Sequence, residues 1–112
     1  MKLNKKEIKR ILIIRLGKIG DVLLSTPLIR NLRKNFPNAH IAYITGKRAA
    51  PILKNNPNVS EIIVSDKRIF SKIIRQKRYD LAIDLNVIDI TAQLSLLCGA
   101  KRRVGVYKGR RT

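Results

Sequence analysis

Residues 11–23 read Ile11-Leu12-Ile13-Ile14-Arg15-Leu16-Gly17-Lys18-Ile19-Gly20-Asp21-Val22-Leu23: an unbroken aliphatic run, a turn with two glycines and an aspartate, then the apolar start of a helix. A run without polar alternation suits a strand buried on both faces, as in a parallel sheet covered by helices. Downstream, Val22, Leu23, Leu28, Ile29, Leu32 and Phe36 recur at helical spacing, so one amphipathic helix is expected up to Phe36-Pro37-Asn38. Pro27 falls about two turns inside that helix, where its missing N–H should bend the axis.

The alternation continues along the chain. A second strand is expected over His40 to Thr45, starting roughly 30 residues after the first, the usual length of a βαβ unit. Beyond it the pattern predicts a short helix over 48–54, a strand over 59–65 and a helix over 69–76. A fourth strand over 79–85, a helix over 90–98 and the start of a fifth strand at 103–106 complete the series. The fold class is therefore α/β, a Rossmann-like open parallel sheet with helices on both faces. Residues 1–9 form a basic lead-in, and 10–112 form a single domain, since a chain of 112 residues has room for one core.

In such sheets ligands bind at the carboxyl ends of the strands. That rule brings three loops to one rim: 16–21 after the first strand, 45–48 after the second and 85–89 after the fourth. The first is the richest. Gly17 and Gly20 permit close backbone approach, Lys18 adds a mobile positive charge, and the Asp21 carboxylate can accept a proton from a sugar hydroxyl. The same residues also fit a structural reading, with glycines in a tight turn and Asp21 capping a helix. Asp84 and Asn86 close the fourth strand and could hydrogen-bond a polyol or cap the next turn.

Several functions are excluded. The loop lacks the three-glycine dinucleotide pattern and the lysine-serine ending of a P-loop, and no acid follows the second strand, which ends Ile44-Thr45-Gly46. His40, the one histidine, has no partners for a nucleophilic triad and reads as structural. Cys98, the one cysteine, lies on an apolar helix face and reads as core. No metal-ligand spacing is present, so no metal or cofactor is expected. The apolar run after the basic start is only four residues long before Arg15, which fits neither a signal peptide nor a membrane span. A cytoplasmic location is expected.

Lysine and arginine total 25 against seven acids, a formal charge of +18. An excess of that size leaves much of the surface positive and calls for an anionic partner, whether nucleic acid, a membrane face or an acidic substrate. A small basic nucleic-acid-binding module would account for the charge but not for the glycine-aspartate loop, and aromatics make up only 4% of the chain, too few for base stacking.

Taken in order and spacing, several segments resemble the heptosyltransferases of glycosyltransferase family 9, which build the inner core of bacterial lipopolysaccharide. They are Ile11 to Leu16 leading into Gly20-Asp21-Val22-Leu23-Leu24, Thr26-Pro27, Asn31-Leu32-Arg33, Phe36-Pro37, Asn56-Pro57, Tyr79-Asp80-Leu81, Ile83-Asp84-Leu85 and Gly99 to Gly105. The resemblance implies a two-domain GT-B enzyme that moves a heptose from a nucleotide sugar, usually ADP-heptose, to an acidic lipid-linked saccharide, with inversion and without a metal. Its general base would be Asp21, with Gly17, Lys18, Gly20 and Asn86 binding substrate. Gly17-Lys18 stands where well-known members have two serines, and Asn86-Val87 where many have Gln-Gly. Residues 10–112 would be a partial N-terminal acceptor-side domain, lacking the rest of that half and the C-terminal donor-binding domain, and inactive alone as a truncated fragment. Its partners would be the nucleotide sugar and the anionic acceptor, with peripheral contact at the inner face of the cytoplasmic membrane.

Overall fold

The computed structural model describes residues 8–76, 78–86 and 88–105. Its strands are β1 Arg10–Ile14, β2 His40–Thr45, β3 Glu61–Val64, β4 Leu81–Asp84 and β5 Arg102–Gly105. Between them run α1 Ile19–Leu24, α2 Thr26–Asn35, α3 Ala50–Leu53, α4 Ile69–Gln76 and α5 Asp89–Leu97. Residues 1–7 of the basic lead-in, and Val106 of the expected fifth strand, lie outside the described residues.

The five strands are parallel and ordered β3-β2-β1-β4-β5. Sequence order runs outward from β1 to β3, then jumps back to place β4 on the other side of β1, so the sheet has its switch point between β1 and β4. The central strand explains why aliphatic residues fill every position from 11 to 14. Ile11 and Ile13 enter one apolar layer with Val22, Ile29, Leu32 and Leu53 from α1, α2 and α3. Leu12 and Ile14 enter the opposite layer with Ile69, Ile73, Leu94 and Cys98 from α4, α5 and the end of α5. Both faces of the sheet are thus covered.

The helix expected to run unbroken past Pro27 is two helices, α1 and α2, meeting at Ser25. In a continuous helix the Leu23 carbonyl would receive the N–H of residue 27, which proline lacks, and the ring would collide with that carbonyl. Instead the Thr26 hydroxyl donates to the Leu23 carbonyl at 2.9 Å and the Ser25 hydroxyl to the Val22 carbonyl at 2.6 Å. Pro27 then sits at the opening of α2, where a missing N–H costs nothing. The stretch expected to be helical over 48–54 shrinks to the single turn α3 for a related reason, with Pro51 at its start.

Two polar staples hold the amino ends of the strands. The Asp80 carboxylate accepts the backbone N–H groups of Lys9 and Arg10 at 2.8 and 2.9 Å. The Arg33 guanidinium donates to the carbonyls of Pro37, Ala39 and Asn58, tying the end of α2 to the entries of β2 and β3. His40 Nε2 lies 3.0 Å from Glu61 Oε1 at those same entries, the end of the sheet away from the carboxyl rim. It stands away from the rim that carries Asp21.

Candidate active site

β1 and β4 lie side by side at the switch point, the place where an open parallel sheet forms its ligand crevice. The segments 15–21 and 85–86 follow these two strands, and Arg15 joins them. Its N–H donates to the Ile44 carbonyl of β2 at 3.0 Å. Its guanidinium donates through Nη1 to the Leu85 carbonyl past the end of β4 at 2.8 Å, and Nη2 stands 3.1 Å from Asp21 Oδ1. The Arg15 side chain is 12% exposed and that of Asp21 37%, so the pair is anchored on one side and open to solvent on the other.

Asp21 occupies the third position of α1, and its second oxygen, Oδ2, accepts the Lys18 N–H at 3.2 Å. A first-turn carboxylate is favoured there by the free N–H groups of the helix start. Gly17 is what admits it. A Cβ on residue 17 would lie 2.6 Å from Asp21 Oδ2 and 2.9 Å from Asp21 Cβ, inside contact distance. At Gly20, by contrast, a Cβ would meet nothing within 4 Å, leaving an exposed stretch of backbone on the same turn. Lys18, just before α1, is also exposed on this rim.

Asn86 stands across the crevice on the loop after β4. Its Oδ1 accepts the Leu16 N–H at 2.6 Å, and its own N–H donates to Asp84 Oδ1 at 2.9 Å. Asp84 thereby forms the turn that ends β4, and it is buried. The expected site residues Gly17, Lys18, Gly20 and Asp21 share one turn, and Asn86 is stitched to its beginning.

Behind the turn, Tyr43 is fully buried, with its hydroxyl 2.7 Å from Ser25 Oγ at the junction of α1 and α2. Burial raises its phenol above the usual tyrosine value, with smaller opposing influences from Arg15, which lowers it, and Asp21, which raises it. Both charges of the crevice are thus felt at this phenol. Cys98 is buried and donates to the Ser95 carbonyl at 3.2 Å, and burial pushes its thiol up, away from the reactive thiolate. Among the described residues no group of three or more His, Cys, Asp or Glu side chains could hold a metal ion, and no helix is long and apolar enough to cross a membrane.

A surface hollow of about 680 Å³ lies elsewhere, between the end of β3 and α4, lined by Arg68, Lys72, Arg75 and Arg78 with Ser71 among them. It includes none of the crevice residues. β3 lies two places from β1 in the sheet, on the order of 10 Å at ordinary strand spacing. The hollow is therefore separate from the crevice.

No family model matches the chain. Lipopolysaccharide heptosyltransferase 3 of Escherichia coli strain K12 is 32% identical over 104 residues, which is 82% of this chain and 30% of that protein. The E. coli ADP-heptose lipopolysaccharide heptosyltransferase II structure superposes with a TM-score of 0.74 at 30% identity, covering 86% of this chain and 30% of that one. The chain is a homologue of the lipopolysaccharide heptosyltransferases, glycosyltransferase family 9. A glycosyltransferase family 9 structure from Veillonella parvula agrees, with a TM-score of 0.73 at 29% identity over 88% of this chain and 31% of that one. This heptosyltransferase homologue thus spans about 30% of the length of the relatives it matches.

Sequence reasoning placed the glycine-aspartate turn of the homologue on the ligand rim but gave Arg15 no role. The only hint available was its position, a cation directly after four buried aliphatics at the end of the central strand. A charge there must either leave the sheet or find partners beside it.

Proposed function

We propose that this chain is the acceptor-side part of a heptosyltransferase that moves a heptose from ADP-heptose to an acidic, lipid-linked saccharide. Asp21 is the general base in this reading. The acceptor hydroxyl attacks the anomeric carbon, and its proton passes to the Asp21 carboxylate. A bond forms between the acceptor oxygen and that carbon, the bond from the carbon to the phosphate oxygen breaks, and ADP departs with the electron pair. In-line attack inverts the anomeric centre. The donor is assigned to the portion of the relatives that this chain does not span. The observation that carries the reading is the Asp21 carboxylate, part-exposed and held at the switch point of a sheet homologous to those of heptosyltransferases.

The remaining rim residues take supporting roles. Exposed Lys18 offers a charge to an acidic acceptor, the bare backbone at Gly20 lets a sugar come close, and Gly17 makes room for the Asp21 carboxylate. Asn86 holds the two loops together, which fixes the width of the crevice that the acceptor enters. The cationic hollow along α4 offers a place for further acidic groups of the same acceptor, and an anionic membrane surface would concentrate a lipid-linked substrate near a chain of charge +18.

The test is heptose transfer from ADP-heptose by the full product of the gene, beside its Asp21→Ala variant. Removal of a general base should lower kcat by about 10²- to 10⁴-fold. A variant within a few-fold of wild type would remove Asp21 from the mechanism. The 112-residue chain by itself is expected to give no transfer.

A further inference from the structure

We propose that Arg15 is a positioning residue for Asp21: a guanidinium anchored on the β4 side of the crevice fixes where, and in which rotation, the carboxylate stands. The proposal rests on the reading of Asp21 as the base. It differs from a plain surface ion pair in three respects. The Arg15 side chain is mostly buried, its other arm is committed to the Leu85 carbonyl at 2.8 Å, and its backbone is committed to β2 at 3.0 Å. An exposed pair is free to drift, whereas this cation is held by two neighbouring strands and passes their position on to Asp21.

The carboxylate is held at both oxygens. Oδ1 faces Arg15 at 3.1 Å and Oδ2 accepts the Lys18 N–H at 3.2 Å, while Gly17 leaves the space in which it lies. Contacts at both oxygens fix the rotation of the carboxylate as well as its position. Orientation is the point. Arg15 reaches Asp21 from β1 while touching the loop after β4, so a change in the spacing of those strands moves the base. Among the described residues, the charged and titratable groups that act on the carboxylate include Arg15 directly after β1 and the Tyr43 phenol of β2, while Lys18 reaches it through its backbone N–H.

Arg15→Gln removes the charge, and Arg15→Lys keeps it but replaces a rigid fork by a single flexible ammonium. In the full gene product, Arg15→Gln should lower kcat by about 10- to 100-fold, the scale of a misplaced catalytic group, with little change in KM for ADP-heptose. The acid limb of its pH profile should move to higher pH as the neighbouring cation is lost. Arg15→Lys should restore the position of that limb but only part of kcat. A second readout needs no transferase activity: the Asp21 side-chain carboxyl carbon, followed by NMR in the 112-residue chain, should titrate at higher pH in Arg15→Gln than in wild type.

The readouts separate two failures. Absence of transfer by the wild-type product, with the NMR shift present, would sink the functional reading and leave the Arg15–Asp21 coupling standing. An unmoved carboxyl titration, or a kcat within twofold of wild type in both variants, would overturn the role given to Arg15. If Arg15→Gln does not fold, Arg15→Lys decides alone, since full kcat in that variant would show that the fork geometry is not needed.

Discussion

Gly17 and Gly20 share one turn yet answer to different constraints. The first is required by a neighbour within the chain, because a Cβ there would fall 2.6 Å from Asp21 Oδ2. The second has empty space in front of it. Gly17→Ala should therefore push the Asp21 carboxylate aside, lowering activity of the full product by about 10- to 100-fold, while crowding at this part-exposed site costs at most about 1–3 kcal/mol. Paired assays of kcat and urea unfolding would check it, and unchanged kcat would mean that the carboxylate position does not matter. Gly20→Ala should act in the opposite sense on the fold, stabilising α1 by roughly 0.5–1 kcal/mol, as alanine does for glycine within a helix. The position of this turn at the carboxyl end of the central strand was legible in the sequence because glycines and an acid after a buried strand are local signals. The role of Arg15 was not, since its Leu85 partner lies 70 residues away and only the parallel pairing of β1 with β4 brings it near.

Strands were easier to read than helices for a related reason. A buried parallel strand declares itself by an apolar run, as the four aliphatics Ile11–Ile14 do, and the apolar stretch Ile41–Ile44 is marked as well by its distance of about 30 residues from the first strand. The division between α1 and α2 left no gap in the apolar spacing, because Val22, Ile29 and Leu32 all face the same layer on either side of it. What divides the helices is hydrogen bonding: a proline that cannot donate, and the Thr26 and Ser25 hydroxyls that take over the Leu23 and Val22 carbonyls. Pro27→Ala tests this placement. At the opening of α2 proline mainly restricts the unfolded chain, so the variant should lose under about 1 kcal/mol in urea unfolding. A proline inside one bent helix would behave otherwise, and its replacement would stabilise by up to about 3 kcal/mol. A gain of that size would refute the two-helix description.

At the scale of the whole molecule, the apolar layer beneath α1 and α2 contains a phenol, Tyr43, whose hydroxyl meets Ser25 at the helix junction. This ties the alkaline limit of the fold to the element that carries Asp21. Burial raises the Tyr43 phenol above its ordinary 10.0, and burial likewise raises Tyr79 and lifts Cys98 above 9.0. For each group the folded state holds its proton more tightly than the unfolded chain does. The corresponding stability is fully present below the unfolded value and is lost as pH rises through the folded one. Unfolding free energy should therefore fall above about pH 9, first through Cys98 and then through the tyrosines. The informative quantity is a difference between variants, in which the rest of the +18 chain is common to both. Tyr43→Phe should be less stable than wild type by about 1 kcal/mol at neutral pH, for the lost hydrogen bond to Ser25. That gap should narrow or reverse by about pH 11, because only the wild type still has this phenol to ionise on unfolding. Urea midpoints for the two proteins at both pH values would decide it, and a gap that stays constant would mean that the Tyr43 proton is not held by the fold.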